Sequence, residues 1–363
     1  MERVMSVLAN YSSLKENLQV HLILYGISRS IFYHVSENII VHKPMFTFNN
    51  SRRFFHTIRT LFFIRKTVNR LRPESILSFG EYWNNFVLLS LLATSYPVFV
   101  SDRSQPGMSL GWFQDSLRQW LYPNSDGLIL QTEKAKQIYL AKNSHNNIAV
   151  IGNPISIPKI ENLNEDRELN ILMVGRLIRT KHQDELIKVF ARINNPAWKL
   201  VLVGYDHLKQ ENMQNLKDLS IKLNVDKKVI FAGKQTKIEE IYARSSIFAF
   251  TSSSEGFPNA IGEAMAYGLP VIAYDCIAGP SEMIKDGFNG YLIPLFDNME
   301  FEKKLNRLMS DKRLRKELGK NARESIQEFD SDKISEKFLN FITKSDMKEN
   351  MPQTLLGNSK HNK

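Results

Sequence analysis

Residues Glu255-Gly256-Phe257-Pro258-Asn259-Ala260-Ile261-Gly262-Glu263-Ala264-Met265-Ala266-Tyr267-Gly268-Leu269-Pro270 follow an apolar run at 247–251 and a serine-rich turn. The order predicts strand, turn, helix. Pro258 suits the first turn of that helix, where its missing N–H leaves no partner unsatisfied. Gly268 and Pro270 stop it. The N–H groups near Asn259, Ala260 and Ile261 are then free at the carboxyl edge of a sheet, a place that receives anions. For a doubly wound domain the obvious anion is a diphosphate.

Outward from this stretch, β-rich apolar runs alternate with helix-length segments along most of the chain. Strands are expected at 19–25, 38–41, 75–79, 98–101, 127–131 and 148–151. Six more are expected at 170–174, 199–203, 228–231, 247–251, 271–274 and 290–293. Continuous runs such as ILMVG and KLVLVG fit strands covered on both faces of a parallel sheet, with the intervening helices completing βαβ units. The fold class is therefore α/β, with 363 residues giving room for two domains. An N-terminal domain is placed at 1–155 and a polar linker at 156–168, within a stretch from Asn153 to Leu169 that carries Pro154 and Pro158. A C-terminal domain follows at 169–328, a last helix at 329–344 and a disordered tail at 345–363.

Composition narrows the chemistry. At 43% hydrophobic and 24% charged the chain is an ordinary globular one. Its single cysteine, Cys276, excludes an internal disulfide and a Cys/His metal cluster. No basic-then-apolar leader opens the sequence. The longest apolar run, Phe86 to Thr94, is too short for a membrane span. A net charge of +10 suggests an anionic partner.

Glu255 and Glu263 bracket the anion site. Glu263 can accept two hydrogen bonds from vicinal ribose hydroxyls, and Glu255 can hold hydroxyls of a sugar beyond the phosphates. Gly262 leaves room for a ligand to approach the backbone. Gly175-Arg176-Leu177 with Lys181 follows the 170–174 strand and brings two cations to the same edge, as phosphates require. The bland reading of each is a solvated charge. His182 and His207 lie near this edge and are read as surface or structural. Asp330-Ser331-Asp332 is read as a helix cap, not a metal site.

These residues resemble glycosyltransferase family 4. Glu255 to Glu263 is similar to its E-x7-E motif and Gly175-Arg176 with Lys181 to its phosphate-binding pair. Cys276 to Glu282 and Asp286 to Leu292 are similar to its downstream segments. The resemblance implies a GT-B fold, two Rossmann-like domains with the active site in the cleft between them. It implies retaining, metal-independent sugar transfer from a nucleotide donor, with no cofactor. Arg176 and Lys181 would then neutralise the leaving diphosphate, Glu263 would hold ribose and Glu255 the donor sugar. Backbone amides of Phe257, Pro258's neighbour Asn259 and Ala260, with Gly256, would hold sugar and phosphate. A uracil base is expected from family habit, near Gly233 and Lys234. Ser101 to Pro106 resembles a segment of bacterial polysaccharide and lipid-linked oligosaccharide transferases, with Arg103 either facing a phosphate across the cleft or capping the loop structurally. Glu81 is a candidate acceptor contact, or equally a helix N-terminal carboxylate.

The segment 52–72 carries Arg52, Arg53, Arg59, Arg65, Lys66, Arg70 and Arg72 among Phe54, Phe55, Leu61, Phe62, Phe63 and Ile64. Such a helix suits an anionic membrane surface, with Trp112, Phe113, Trp120 and Leu121 as a second interfacial patch. The acceptor expected there is a glycan or a polyprenyl-diphosphate-linked sugar for capsule, exopolysaccharide or O-antigen, and the place is the inner face of the cytoplasmic membrane. No nucleic-acid motif accompanies the charge.

The start departs from the family. A doubly wound domain opens with a central strand, whereas residues 2–14 read as a helix with no strand before them. The expectation is a start upstream of Met1. Two other function classes remain: a sugar-nucleotide epimerase of the same fold, and a non-catalytic remnant that binds nucleotide sugar.

Overall fold

The computed structural model describes residues 1–25, 31–159, 167–206 and 211–343. The expected strands all form, with ends shifted by up to two residues: β1 His21–Ile23, β2 Ile40–His42, β3 Ile76–Phe79, β4 Val98–Ser101, β5 Gly127–Leu130, β6 Ile148–Val150, β7 Asn170–Val174, β8 Lys199–Val203, β9 Val229–Gly233, β10 Ile247–Phe250, β11 Val271–Asp275 and β12 Gly290–Pro294. Every pairing is parallel.

Strands β7 to β12 make one sheet in the order β12-β11-β10-β7-β8-β9. Phe248 and Leu172 pair across β10 and β7, and Ile171 and Leu200 across β7 and β8. The runs read as covered on both faces are so: Ile171, Leu172, Leu200 and Phe248 are fully buried. One face packs on Phe190, Trp198 and Phe301, the other on Tyr242, Ile261 and Met265. The connection reverses between β7 and β10, and ligands of such sheets bind outside the carboxyl ends at that reversal.

In the N-terminal half, β3-β4-β5-β6 form a four-stranded sheet, and β1-β2 a separate two-stranded one. Helix Glu2–Ser13 precedes β1. The last helix, Ser331–Thr343, packs against Glu2–Ser13 and sets Phe338 against Phe79, ring centroids 6.1 Å apart. Asp330 caps it, its carboxylate accepting the N–H of Asp332 at 3.0 Å. Most of the linker, all of the tail and His207 lie outside the described residues.

One expectation needs correction here, that of Leu121. Asn153, Pro154 and Ile155, just before the linker at 156–168, are buried. Ile155 inserts between halves, its N–H reaching the Phe329 carbonyl at 2.8 Å. Leu121 is a core residue at 1% exposure and is not part of an interfacial patch.

Candidate active site

The loops after β7 and β10 meet at the reversal point. After β7, Gly175 and Arg176 lead into a 3-10 turn, Arg179–Lys181, and His182 takes a left-handed conformation (φ 50°) that starts helix Gln183–Ile193. Thr251, at the end of β10, donates to the carbonyls of Lys181 and His182, both at 2.9 Å. His182 Nε2 meets Ser253 Oγ at 2.8 Å, a structural clamp between the loops. This clamping aims Lys181 at Glu255, and their side chains form an ion pair with little solvent exposure. Arg176 is exposed at the same edge.

Helix Asn259–Ala266 runs from the Glu255 loop, with Pro258 just before it, one place earlier than the sequence suggests. Two of the three N–H groups expected to be free are taken locally: Asn259 by the Phe257 carbonyl and Ile261 by the Pro258 carbonyl, both at 3.0 Å. Gly262 is not an opening for ligand. A Cβ there would lie 2.8 Å from Ile155 Cδ1, so the missing side chain permits close packing. Gly279 serves the same loop: it has φ 108°, and a Cβ would lie 2.1 Å from Pro258 Cδ.

Glu263 sits one turn into the helix and receives Arg3 from helix Glu2–Ser13 and the Tyr242 hydroxyl, the latter at 2.9 Å. The Tyr242 ring stacks on Tyr267 at 5.6 Å. Burial, then the Glu263 charge, hold the Tyr242 phenol far above its ordinary range, so it stays a donor. Neither Arg3 nor Tyr242 was singled out by sequence.

The halves touch at the Glu255 loop. A Cβ on Gly256 would lie 2.5 Å from the Arg103 carbonyl, so only glycine lets these backbones meet. Ser254 donates to Gln105. Asn153 joins the set: its Oδ1 accepts from Gln131 Nε2 at 2.8 Å and from Arg103, and its Nδ2 reaches Asn259 Oδ1 at 2.7 Å. The Gly152-Asn153-Pro154 corner after β6 is the sequence signal for it.

One N-terminal expectation is corrected. The Arg103 guanidinium does not face the cleft as a phosphate ligand. It lies against Phe79 and Phe338, at 4.6 and 5.2 Å from the ring centroids, and its Nε and Nη2 are buried. Burial lowers its pKa to about 9. Glu81 is 6% exposed and opens helix Glu81–Ser90, in line with its reading as a helix N-terminal carboxylate, and it binds the loop. It accepts the N–H groups of Arg103 and Ser104 at 3.0 and 2.7 Å, and the Ser104 hydroxyl at 2.9 Å. Beside it, burial and then the Glu81 charge raise Asp102 to about 7, although Tyr122 donates to it at 2.6 Å. A polar cavity of about 220 Å³ opens here, with Glu81, Asp102, Gln105, Arg118 and Gly256 in its wall.

Gly233 (φ 66°) ends β9, and the exposed Lys234 places its Nζ 5.3 Å from the Phe32 ring. On helix Arg53–Leu71, Phe54 and Phe62 stand 80% and 68% exposed, beside the exposed Phe55. Trp112 and Phe113 are exposed on helix Trp112–Leu121, as is Trp120. Arg65 turns inward, donating to the carbonyls of Ser90 and Leu92. No helix among the described residues is long and apolar enough to cross a membrane.

Residues 156–325 match the family described as glycosyl transferases group 1. The chain is 28% identical over 350 residues to the amylovoran biosynthesis glycosyltransferase AmsD of Erwinia amylovora, covering 93% of this chain and 94% of that one. It is 23% identical over 350 residues to a Campylobacter jejuni alpha-1,4-N-acetyl-D-galactosaminyltransferase named for a PP-undecaprenol-linked glycan, covering 94% of each. Among solved structures it matches the lipopolysaccharide outer core galactosyltransferase WaaB with TM-score 0.74 and 21% identity, covering 94% of both chains. The fold is α/β and of the GT-B type.

Proposed function

We propose that the chain, whose residues 156–325 match the family described as glycosyl transferases group 1, transfers a hexose or N-acetylhexosamine, with retention, from a nucleotide sugar to a glycan or polyprenyl-diphosphate-linked acceptor. The base proposed is uracil. The observation that carries this reading is the pairing of Lys181 with Glu255 at the reversal between β7 and β10, with Arg176 exposed on the same loop as Lys181.

The pair explains a sequence of events. Before donor binds, Lys181 and Glu255 neutralise each other with little water around them. A diphosphate takes Lys181 and Arg176, since phosphate offers a cation more acceptor oxygens than one carboxylate does. Glu255 is then released to hydroxyls of the donor sugar. Glu263, aimed by Tyr242, takes ribose hydroxyls. As the bond from the sugar to the diphosphate breaks, negative charge grows on the leaving oxygen. Fixed cations beside it stabilise that charge most in the transition state. Glu81 and Asn153 act by holding loop and cleft, and Arg103 by packing between the last helix and β3.

The acceptor side is proposed to be the polar cavity at Asp102, Gln105 and Arg118, and the exposed aromatic and basic helix Arg53–Leu71 to rest on an anionic membrane inner face. The Campylobacter relative's name carries a lipid-diphosphate acceptor, and the Erwinia relative's a bacterial exopolysaccharide. No metal is proposed to take part, so activity is expected to persist in EDTA. The test is transfer of labelled sugar from a panel of uridine-diphosphate sugars into lipid-linked glycan, with the anomer read by NMR. An inverted product, or release of epimerised nucleotide sugar without acceptor, overturns the reading.

A further inference from the structure

The loop after β4 begins with Asp102, at the carboxyl edge of the N-terminal sheet. Its N–H donates to the Ile129 carbonyl of β5 at 3.0 Å. Its Oδ1 accepts the Tyr122 hydroxyl at 2.6 Å and, more loosely, Asn84 Nδ2 at 3.4 Å. Tyr122 and Asn84 are both fully buried, so the carboxylate is fixed in place. Three acids stand in the wall of the 220 Å³ cavity: Glu81, Asp102 and Asp115. Glu81 has both oxygens engaged by the Arg103–Ser104 segment. Asp115 has both engaged as well, by the Leu110 N–H and the Ser109 hydroxyl. Asp102 Oδ2 has no partner among the described residues, and it is not sealed from solvent. Of the three, it alone offers a ligand in the cavity a free carboxylate oxygen.

The groups facing Asp102 set its proton affinity. They are Glu81 from helix Glu81–Ser90, Arg103 from its own loop, Arg118 from helix Trp112–Leu121, Tyr122 from the turn that follows, and Tyr139 from helix Glu133–Leu140. Burial and then Glu81 lift its pKa to about 7, against the lowering by Tyr122, Arg118 and Asn84. A carboxylate that titrates near neutrality is matched to take a proton from a hydroxyl as that hydroxyl becomes a nucleophile. Its place is suitable too. Gly256 stands in the same cavity wall and meets the Arg103 carbonyl, and its chain neighbour is Glu255. A molecule in the cavity therefore lies beside the sugar that Glu255 is proposed to hold.

We propose that Asp102 is the proton acceptor of the transfer: its free Oδ2 takes the hydrogen bond of the acceptor hydroxyl and receives its proton. The inference rests on the reading of this cavity as the acceptor side. In the step, the acceptor oxygen bonds to the anomeric carbon, and the bond from that carbon to the diphosphate oxygen breaks. The diphosphate oxygen leaves with the electron pair beside Lys181 and Arg176. The hydroxyl proton moves to Oδ2, from which water removes it.

The test is the pH dependence of transfer from labelled uridine-diphosphate sugars to lipid-linked glycan by the full chain. The base works ionised, so kcat/KM is expected to fall as pH drops below about 7 and to be flat above it. Asp102→Asn keeps an oxygen for Tyr122 and removes the base. Its kcat is expected to fall by about 100-fold or more and the acid limb to vanish, while affinity for uridine diphosphate stays within about twofold. Tyr122→Phe removes the hydroxyl that lowers the Asp102 pKa, so the limb is expected to move to higher pH by about half a unit or more, with the rate recovered above it. An Asp102→Asn enzyme that keeps its rate within severalfold, or keeps the limb, overturns the proposal and sends the proton to the departing diphosphate, with the donor and acceptor sites left standing. Should that variant not fold, Tyr122→Phe decides alone, and an unmoved limb overturns the proposal. A parent chain that binds uridine diphosphate but transfers to no acceptor at any pH overturns the acceptor reading and this inference with it.

Discussion

Arg3, on the first helix, pairs with Glu263 in the C-terminal half, 260 residues away. The contact ties the two halves at the carboxylate proposed to hold ribose, and Tyr242 supplies that carboxylate with a second donor. Replacing Tyr242 by phenylalanine keeps the stack on Tyr267 and removes only the hydroxyl. Affinity for uridine diphosphate is expected to fall severalfold, with a stability loss of about 1 kcal/mol. Calorimetric titration and melting measure both. Unchanged affinity would show that the orientation of Glu263 does not matter to the donor.

The Lys181–Glu255 pair makes a sharper prediction. In Lys181→Met the cation is lost and Glu255 is left poorly solvated. Binding of uridine diphosphate is expected to weaken by about tenfold or more, and that of uridine hardly at all. Turnover should drop by roughly 100-fold, the scale for losing one fixed charge stabiliser of a leaving group. Equal weakening of diphosphate and uridine would place Lys181 away from the phosphates.

Asp102 gives a pH dependence. Its folded pKa of about 7 lies above its ordinary value of 3.8, through burial first and Glu81 second. Folding therefore favours its protonated form. The associated stability is complete below about pH 4 and is lost as pH rises towards 7. Asp102→Asn keeps an oxygen acceptor for Tyr122 and removes the titration. The melting temperature of the parent protein should fall between pH 5 and pH 8 more than that of the variant. Parallel melting curves across that range would contradict the assignment.

Much of this arrangement was legible in sequence because it is local. The run Asn170–Val174 followed by Gly175-Arg176, and the string from Glu255 to Pro270, each report a strand, a turn and a helix start within one window. What was not legible depends on contacts across the chain. Asn153 gains its meaning from Asn259, 106 residues on, and Arg3 from Glu263. Arg103 was read from the segment Ser101 to Pro106, which does not tell an inward side chain from an outward one. Gly262 was read as room for a ligand because sequence does not show Ile155 against it.

That last correction is testable by stability. Gly262→Ala should destabilise the protein by about 1–3 kcal/mol, as overpacking does. Ile155→Val in the same chain should recover part of the loss, because the two positions share one contact. Loss of nucleotide binding without loss of stability would return Gly262 to the ligand.

For the membrane face, Phe54, Phe55 and Phe62 changed together to serine should lower partition onto anionic vesicles by more than about tenfold. Transfer to a water-soluble acceptor should be unchanged, since none of the three lines the proposed donor site. Undiminished vesicle binding would remove this helix as the contact.

The donor site itself is tested most directly by hydrogen exchange of the full chain with and without uridine diphosphate. Slowed exchange confined to the loops at Gly175–Lys181 and Glu255–Glu263, and to Gly233 and Lys234 at the base, is the expected result. Protection elsewhere, or none with any nucleoside diphosphate, contradicts a donor site at the reversal between β7 and β10.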